Sequence, residues 1–251
     1  MFSRKLAVPL LLLLVLIAGR SWAQSFNLPD SLNSVAQLIV LGLDGRSPQV
    51  TGTAFFVGNG SVVASAAHVY WAMGTAINNQ RGGAMYLQKF SQKGDRMFRV
   101  PVEIINTDNE HDVALFKVDP QAIAAMWPGF KIEPLLLARQ DPEIGEKTIF
   151  AGYFGSDQYP IGVSEMIAGM AKVPVASGIV DDLLVDGIAN GGQSGGPLFL
   201  VKTGEVVGIM TISVPQVGAF ATGTTPAHSG LSRATSVQYL VRLMEASAVP
   251  K

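Results

Sequence analysis

Asn190-Gly191-Gly192-Gln193-Ser194-Gly195-Gly196-Pro197 puts four glycines, one serine and a proline into eight residues between two apolar runs. Only glycine readily supplies positive φ and lets another backbone come close, so glycines clustered round one serine mark a shaped turn. A serine on such a turn can present its hydroxyl outward. The N–H groups of Gly192 and Ser194 can then converge on one spot where an oxyanion would sit. A side chain at position 192 would obstruct a carbonyl approaching that spot.

The runs around this turn read as strands rather than helices. Segments 198–202 and 206–212 follow it, and 147–152, 168–179 and 183–188 precede it. Earlier in the chain, 35–43 is an apolar strand closed by Asp44-Gly45. Segments 51–57 and 61–65 form a hairpin through Gly58-Asn59-Gly60, which delivers Ala66-Ala67-His68 at its end. Further strands are predicted at 85–90, 97–105 and 113–118, with Asp112 at the entrance of the last. Repeated runs of about six residues between turn signals point to an all-β barrel or sandwich. The Pro-rich stretch 119–134 reads as a connection between two halves, and 216–230 as a loop. Val237, Leu240, Val241 and Met244 make one helical stripe near the C-terminus, with Thr235 and Gln238 placed as a capping box.

Three segments stand out in order: Ser65-Ala66-Ala67-His68, Asp112-Val113-Ala114-Leu115 and the Ser194 turn. A serine hydroxyl needs a base within hydrogen-bond reach, and that base needs an orienting acid. The order His, Asp, Ser is that of the chymotrypsin architecture. The chain resembles the trypsin-like serine proteases, and among them the cysteine-free bacterial members of the high-temperature-requirement periplasmic type. The likeness rests on the hairpin before His68, on Asp112-Val113-Ala114-Leu115, on Asn190 four residues before the serine, and on Gly204-Glu205-Val206-Val207-Gly208-Ile209 after it. It runs from about residue 35 to the terminal helix.

The resemblance implies two six-stranded antiparallel Greek-key β-barrels with a C-terminal α-helix. The expected division is a leader at 1–23, a lead-in at 24–34, a first barrel at 35–118, a connection at 119–134, a second barrel at 135–234, and a helix and tail at 235–251. It implies a serine endopeptidase with His68 as base, Asp112 as orienter, Ser194 as nucleophile and the N–H groups of Gly192 and Ser194 as oxyanion donors. By the same likeness Ile188 is the floor of the pocket for the residue before the scissile bond (P1), and Thr211, Ile212 and Ser213 are its walls. None is acidic, so an apolar P1 side chain is expected. Thr211 is also expected to hydrogen-bond Asp112. Gln193 stands where digestive relatives have Asp, and Ile39-Val40-Leu41-Gly42 lies inside the first strand, so no zymogen cleavage is expected. No PDZ-like domain is expected after the terminal helix.

Two other readings compete. Gly192-x-Ser194-x-Gly196 also fits the nucleophile elbow of α/β-hydrolases, with Glu205 and His228 downstream, but that elbow needs a helix directly after the serine. The other is a catalytically silent protease fold that binds a peptide or protein partner, with Gln193 altering the oxyanion turn. His111 beside Asp112 is expected to face solvent, since strand neighbours alternate. Met166, Met170 and Met210 are expected in the core.

The 251 residues carry 18 basic and 19 acidic side chains, a balance that argues against a nucleic-acid partner. The absence of cysteine excludes disulfides and thiolate chemistry, and three histidines are too few for a multi-histidine metal site. No metal or organic cofactor is expected, only a protein or peptide substrate. Arg4 and Lys5, the apolar run 6–18 and Ser21-Trp22-Ala23 read as a signal peptide cut after Ala23. The run is short for a span of about 20 residues, so no stable membrane span is expected after its removal. Export to a bacterial periplasm or the medium follows.

Overall fold

The computed structural model describes residues 26–45, 48–80, 82–155, 157–215 and 228–249. The leader reading at 1–23 and most of the loop at 216–230 lie outside them.

A short helix α1 (Leu28–Ser31) and a 3-10 turn (Leu32–Ser34) lead into β1 (Val35–Leu41). Six residues of β1 are buried in unbroken succession, because both of its faces are covered. β1 pairs with β2 (Pro48–Val57) on one side and β4 (Ala84–Phe90) on the other, all antiparallel. β3 (Val62–Ser65) joins β2 to β7 (Val113–Lys117). The predicted strand at 97–105 is divided into β5 (Met97–Pro101) and β6 (Glu103–Asp108). Pro101 has no N–H to give to a ladder. At Val102 the chain changes partners, from β4 to β7. The first half is therefore a seven-stranded sheet, ordered β5-β4-β1-β2-β3-β7-β6, and not the six-stranded closed barrel expected.

The second half does close. β8 (Lys147–Tyr153), β9 (Pro160–Val175), β10 (Gly178–Asp186), β11 (Pro197–Leu200), β12 (Val206–Pro215) and β13 (His228–Ser236) form a six-stranded barrel. The apolar segment 168–179 is divided by the turn at 176–177. β9 alternates, so Glu165 and Ile167 point inward while Met166 and Met170 are exposed; only Met210 of the three methionines is core.

Three elements depart from the sequence reading. A helix α2 (Ala67–Asn79) follows β3, and its buried Val69, Met73 and Ala76 lie on one face at i, i+4 and i+7. A helix α3 (Pro120–Met126) sits in the connecting stretch, with Asp119 accepting from Gln121 N–H and Pro120 in its first turn. β13 begins inside the predicted loop and buries Ser232 and Thr235 where an apolar pattern would be expected. Helix α4 (Val237–Ala246) packs its apolar stripe on β6, β7, β12 and β13. Its cap is Ser236, whose hydroxyl accepts from Gln238 N–H at 3.1 Å, and not Thr235, which belongs to β13. Among the described residues no helix is long and apolar enough to cross a membrane.

Candidate active site

His68 is the second residue of α2. Its backbone N–H is one of the donors that a helix start leaves without an internal partner. Asp112, at the mouth of β7, reaches it from 44 residues away. Oδ1 accepts from His68 N–H and Oδ2 meets His68 Nδ1, both at 2.7 Å. A carboxylate oxygen facing Nδ1 places the ring proton there and leaves Nε2 as the acceptor. Asp112 holds this pose with a φ of +56°, a left-handed conformation that Asp adopts more readily than most residues. The imidazole is 46% exposed and the carboxylate 28%, so the pair lies at the surface rather than in the core. His111 does not face solvent. It turns back to Asp108, with Nδ1 to Oδ2 at 2.7 Å, and stacks on Tyr239 of α4 at 3.7 Å between ring centroids.

The Ser194 turn is docked onto the first sheet by backbone. Thr53 N–H donates to Ser194 O at 2.8 Å. Gly195, at φ +86°, lies so close to Ser65 Oγ, Thr53 O and Ala66 N that a Cβ has no room. Ser194 is thus brought beside the segment that leads into His68. Its hydroxyl donates to Thr211 O at 2.9 Å, and no hydrogen bond joins it to His68. Among the described residues, neither Gly192 N–H nor Ser194 N–H meets an acceptor. Gly192 has φ +93°, and a Cβ there would meet Tyr153 O at 2.8 Å and Gly155 N at 2.9 Å. Protein backbone, before any substrate, requires glycine at this position. Gln193 is fully buried; its Oε1 accepts from Asn190 N–H at 2.7 Å, while its Nε2 has no partner among the described residues.

The residues assigned to the P1 pocket converge through Ser232. Its hydroxyl donates to Gly187 O and accepts from Ala189 N–H, both at 2.8 Å, and the residue pairs in register with Ser213. Ile188 lies between the two bonded positions and is 40% exposed. Thr211 Oγ1 donates to Arg233 O at 3.0 Å and not to Asp112. The side chains of Ile212 and Ser213 lie outside the described residues. The Glu165 carboxyl lies against Gly187, and neither of its oxygens is hydrogen-bonded among the described residues. Burial, and then the charge of Asp186, push it up to about 7.

Sequence reasoning missed two groups at the turn. Thr53 Oγ1 donates to Gly192 O at 2.8 Å, and Gly155 N–H donates to Gly191 O at 2.9 Å. Thr53 sits in an apolar strand and gave no signal of its own, although a threonine between the glycine and alanine of Thr51-Gly52-Thr53-Ala54 is out of keeping with the buried run that follows.

This fold and site have known counterparts. Among solved structures, the Rv3671c protease from M. tuberculosis in its active form superposes with a TM-score of 0.61, at 15% identity, over 89% of this chain and 84% of that one. Deg5 gives 0.61 at 18% identity over 85% and 88%. At these identities the likeness concerns the fold. Serine protease HTRA4 of Mus musculus is 28% identical over 178 residues, 69% of this chain and 32% of its own length. Serine protease HTRA1 of Xenopus tropicalis is 28% identical over 69% of this chain and 34% of its own. The chain spans about a third of the length of these curated relatives. The trypsin-like peptidase domain matches residues 52–209, from the strand before His68 to the hairpin after Ser194. With that match over more than half of its length, the chain belongs to the trypsin-like peptidase family.

Proposed function

We propose that the chain is an exported serine endopeptidase that cleaves peptide bonds through an acyl-enzyme. The observation that carries this reading is the two-point grip of Asp112 on His68, beside a turn whose serine is flanked by two unoccupied N–H donors. In this reading His68 Nε2 takes the Ser194 proton as the hydroxyl attacks the scissile carbonyl, and returns it to the leaving amine. Asp112 keeps the ring in the required tautomer. Gly192 and Ser194 N–H hold the oxyanion, an effect worth about 10²–10³ in rate per donor. The chemistry needs only side chains, backbone and water. Ile188 at the pocket floor favours an apolar P1 residue, since none of Ile188, Thr211, Ile212 and Ser213 offers a charge to pair with a Lys or Arg. Export rests on the leader read in residues 1–23.

A second reading, a protease fold that binds without cleaving, draws on the Ser194 hydroxyl being engaged by Thr211 O. A fluorophosphonate probe separates the two, because it reacts with activated serines. Labelling that is lost in both S194A and H68A supports the peptidase. A folded wild type that never labels and never cleaves any member of a peptide library supports the binder.

A further inference from the structure

We propose that Gln37 is a positioning residue for the oxyanion hole: from the first sheet it anchors the turn after β8, and that turn carries the N–H group that aims Gly192 N–H. This role rests on the peptidase reading and deepens it by naming what holds one of its two donors.

Gln37 is the only polar side chain of β1, and it is buried. It lies opposite Gln88 of β4 on one side and Thr53 of β2 on the other, and Gln88 lies opposite Arg99 of β5. Residues opposite each other share a face, so the four form a polar row on the face that Thr53 turns toward Gly192. The hydrogen bonds along the row run one way. The Arg99 guanidinium can only donate, and its Nε gives to Gln88 Oε1 at 2.7 Å. Gln88 Nε2 then gives to Gln37 Oε1 at 3.1 Å, and Gln37 Nε2 gives to Asp157 O at 2.7 Å. A carbonyl can only accept, so both ends of the row demand the same orientation of the two amides.

The consequence reaches Gly192 through two peptides. Asp157 N–H donates to Phe154 O at 3.0 Å. The peptide of Phe154 O carries Gly155 N–H, which donates to Gly191 O at 2.9 Å. The peptide of Gly191 O in turn carries Gly192 N–H. All described peptides are trans, so in each of these two the N–H points opposite the carbonyl, and a donor that holds the carbonyl also sets the aim of the N–H. Gln37 holds Asp157 in place at the start of this series. Gly155 at φ +54° and Gly192 at φ +93° have little conformational preference of their own, so without the anchor the turn is free to withdraw from Gly191 O.

The test compares wild type, Q37M, Q37E and Q88M as the full chain. Methionine has nearly the length and volume of glutamine and lacks the donor for Asp157 O. With a chromogenic peptide, Q37M is expected to lose about 10- to 10²-fold in kcat, short of the loss from a missing donor, with KM within about threefold. The inhibition constant of a peptide aldehyde, whose adduct carries the oxyanion, should rise by the same factor as kcat falls. Q37E keeps an acceptor for Gln88 but sets a carboxylate against Asp157 O; once protonated, its O–H can donate there. Its kcat, taken as a ratio to wild type, should therefore recover as pH falls from about 8 to about 5. Q88M breaks the same row without touching the turn, so it should lose thermal stability as Q37M does and keep kcat within about threefold. Amide exchange should accelerate at Gly155 and Asp157 in Q37M and not in Q88M. Wild-type kcat in a folded Q37M, a Q37E ratio that does not change with pH, or equal losses of kcat in Q37M and Q88M would each overturn the proposal. If Q37M does not fold, Q37E, which keeps the Gln88 bond, decides through its pH dependence. A wild type that turns over no substrate would defeat the peptidase reading separately. In that case exchange decides: unchanged protection at both amides in Q37M overturns the anchor, and its loss there but not in Q88M supports it.

Discussion

Replacing Asp112 by Asn removes one charge and changes almost nothing else, which makes its outcome calculable. Asn adopts left-handed φ at least as readily as Asp, so the backbone at +56° is retained. The carboxylate has two acceptors and uses both on His68, one on the backbone N–H and one on Nδ1. An amide has one acceptor and one donor group. If its oxygen keeps the helix N–H, its NH₂ faces Nδ1, the ring proton moves to Nε2, and the base is lost. If its oxygen keeps Nδ1, the NH₂ is set against the backbone N–H, and a helix-start bond worth about 0.5–2 kcal/mol is replaced by a donor–donor contact. The first arrangement satisfies every group and should dominate. Its cost in kcat is about 10⁴-fold, as for the same exchange in the Ser-His-Asp template, or about 5.5 kcal/mol of transition-state stabilisation. The assay is kcat and KM on a chromogenic peptide, with thermal unfolding in parallel. The midpoint should move by no more than a few degrees. A folded D112N retaining kcat within about tenfold of wild type would refute the tautomer argument, since a lost orienter has no cheaper substitute.

Two further expectations follow from single residues. Glu165 titrates near 7 when folded against about 4.3–4.5 unfolded, so folding favours its protonated form; its penalty is absent below the unfolded value, grows as pH rises, and is complete above about 7. E165Q should therefore gain stability over wild type between pH 4.5 and 7, with the unfolding midpoints followed across that range; parallel curves would contradict it. S236A should lose about 1 kcal/mol of stability, because Ser236 caps α4 and also bonds Asp141, while leaving kcat unchanged by direct assay.

Much of this protein is local. The strand runs, the hairpin before His68, the His, Asp, Ser order and the glycine-rich turn follow from residue types at short spacing, which are visible one segment at a time. The α2 stripe of Val69, Met73 and Ala76 was equally local, but Gly74 and the adjoining turn residues diluted it. β13 was hidden for a physical reason: Ser232 and Thr235 are buried and polar, and Ser232 is satisfied by backbone 45 and 43 residues away. His111 was placed by strand alternation, which gave way to a helix packing over it.

What only the tertiary structure decided is where the unspent donors point. Composition shows that Gly192 can adopt many conformations, and for that reason cannot say which one it takes. The aim of its N–H is set by Gly155, whose N–H holds the Gly191 carbonyl of the same peptide. Asp112 likewise reaches His68 only when β7 and the start of α2 lie side by side. The sequence alone determined which groups could do the chemistry, because that is a property of side chains. Their directions depend on hydrogen bonds between segments as distant as Thr53 and Ser194, and exist only once both halves have folded together.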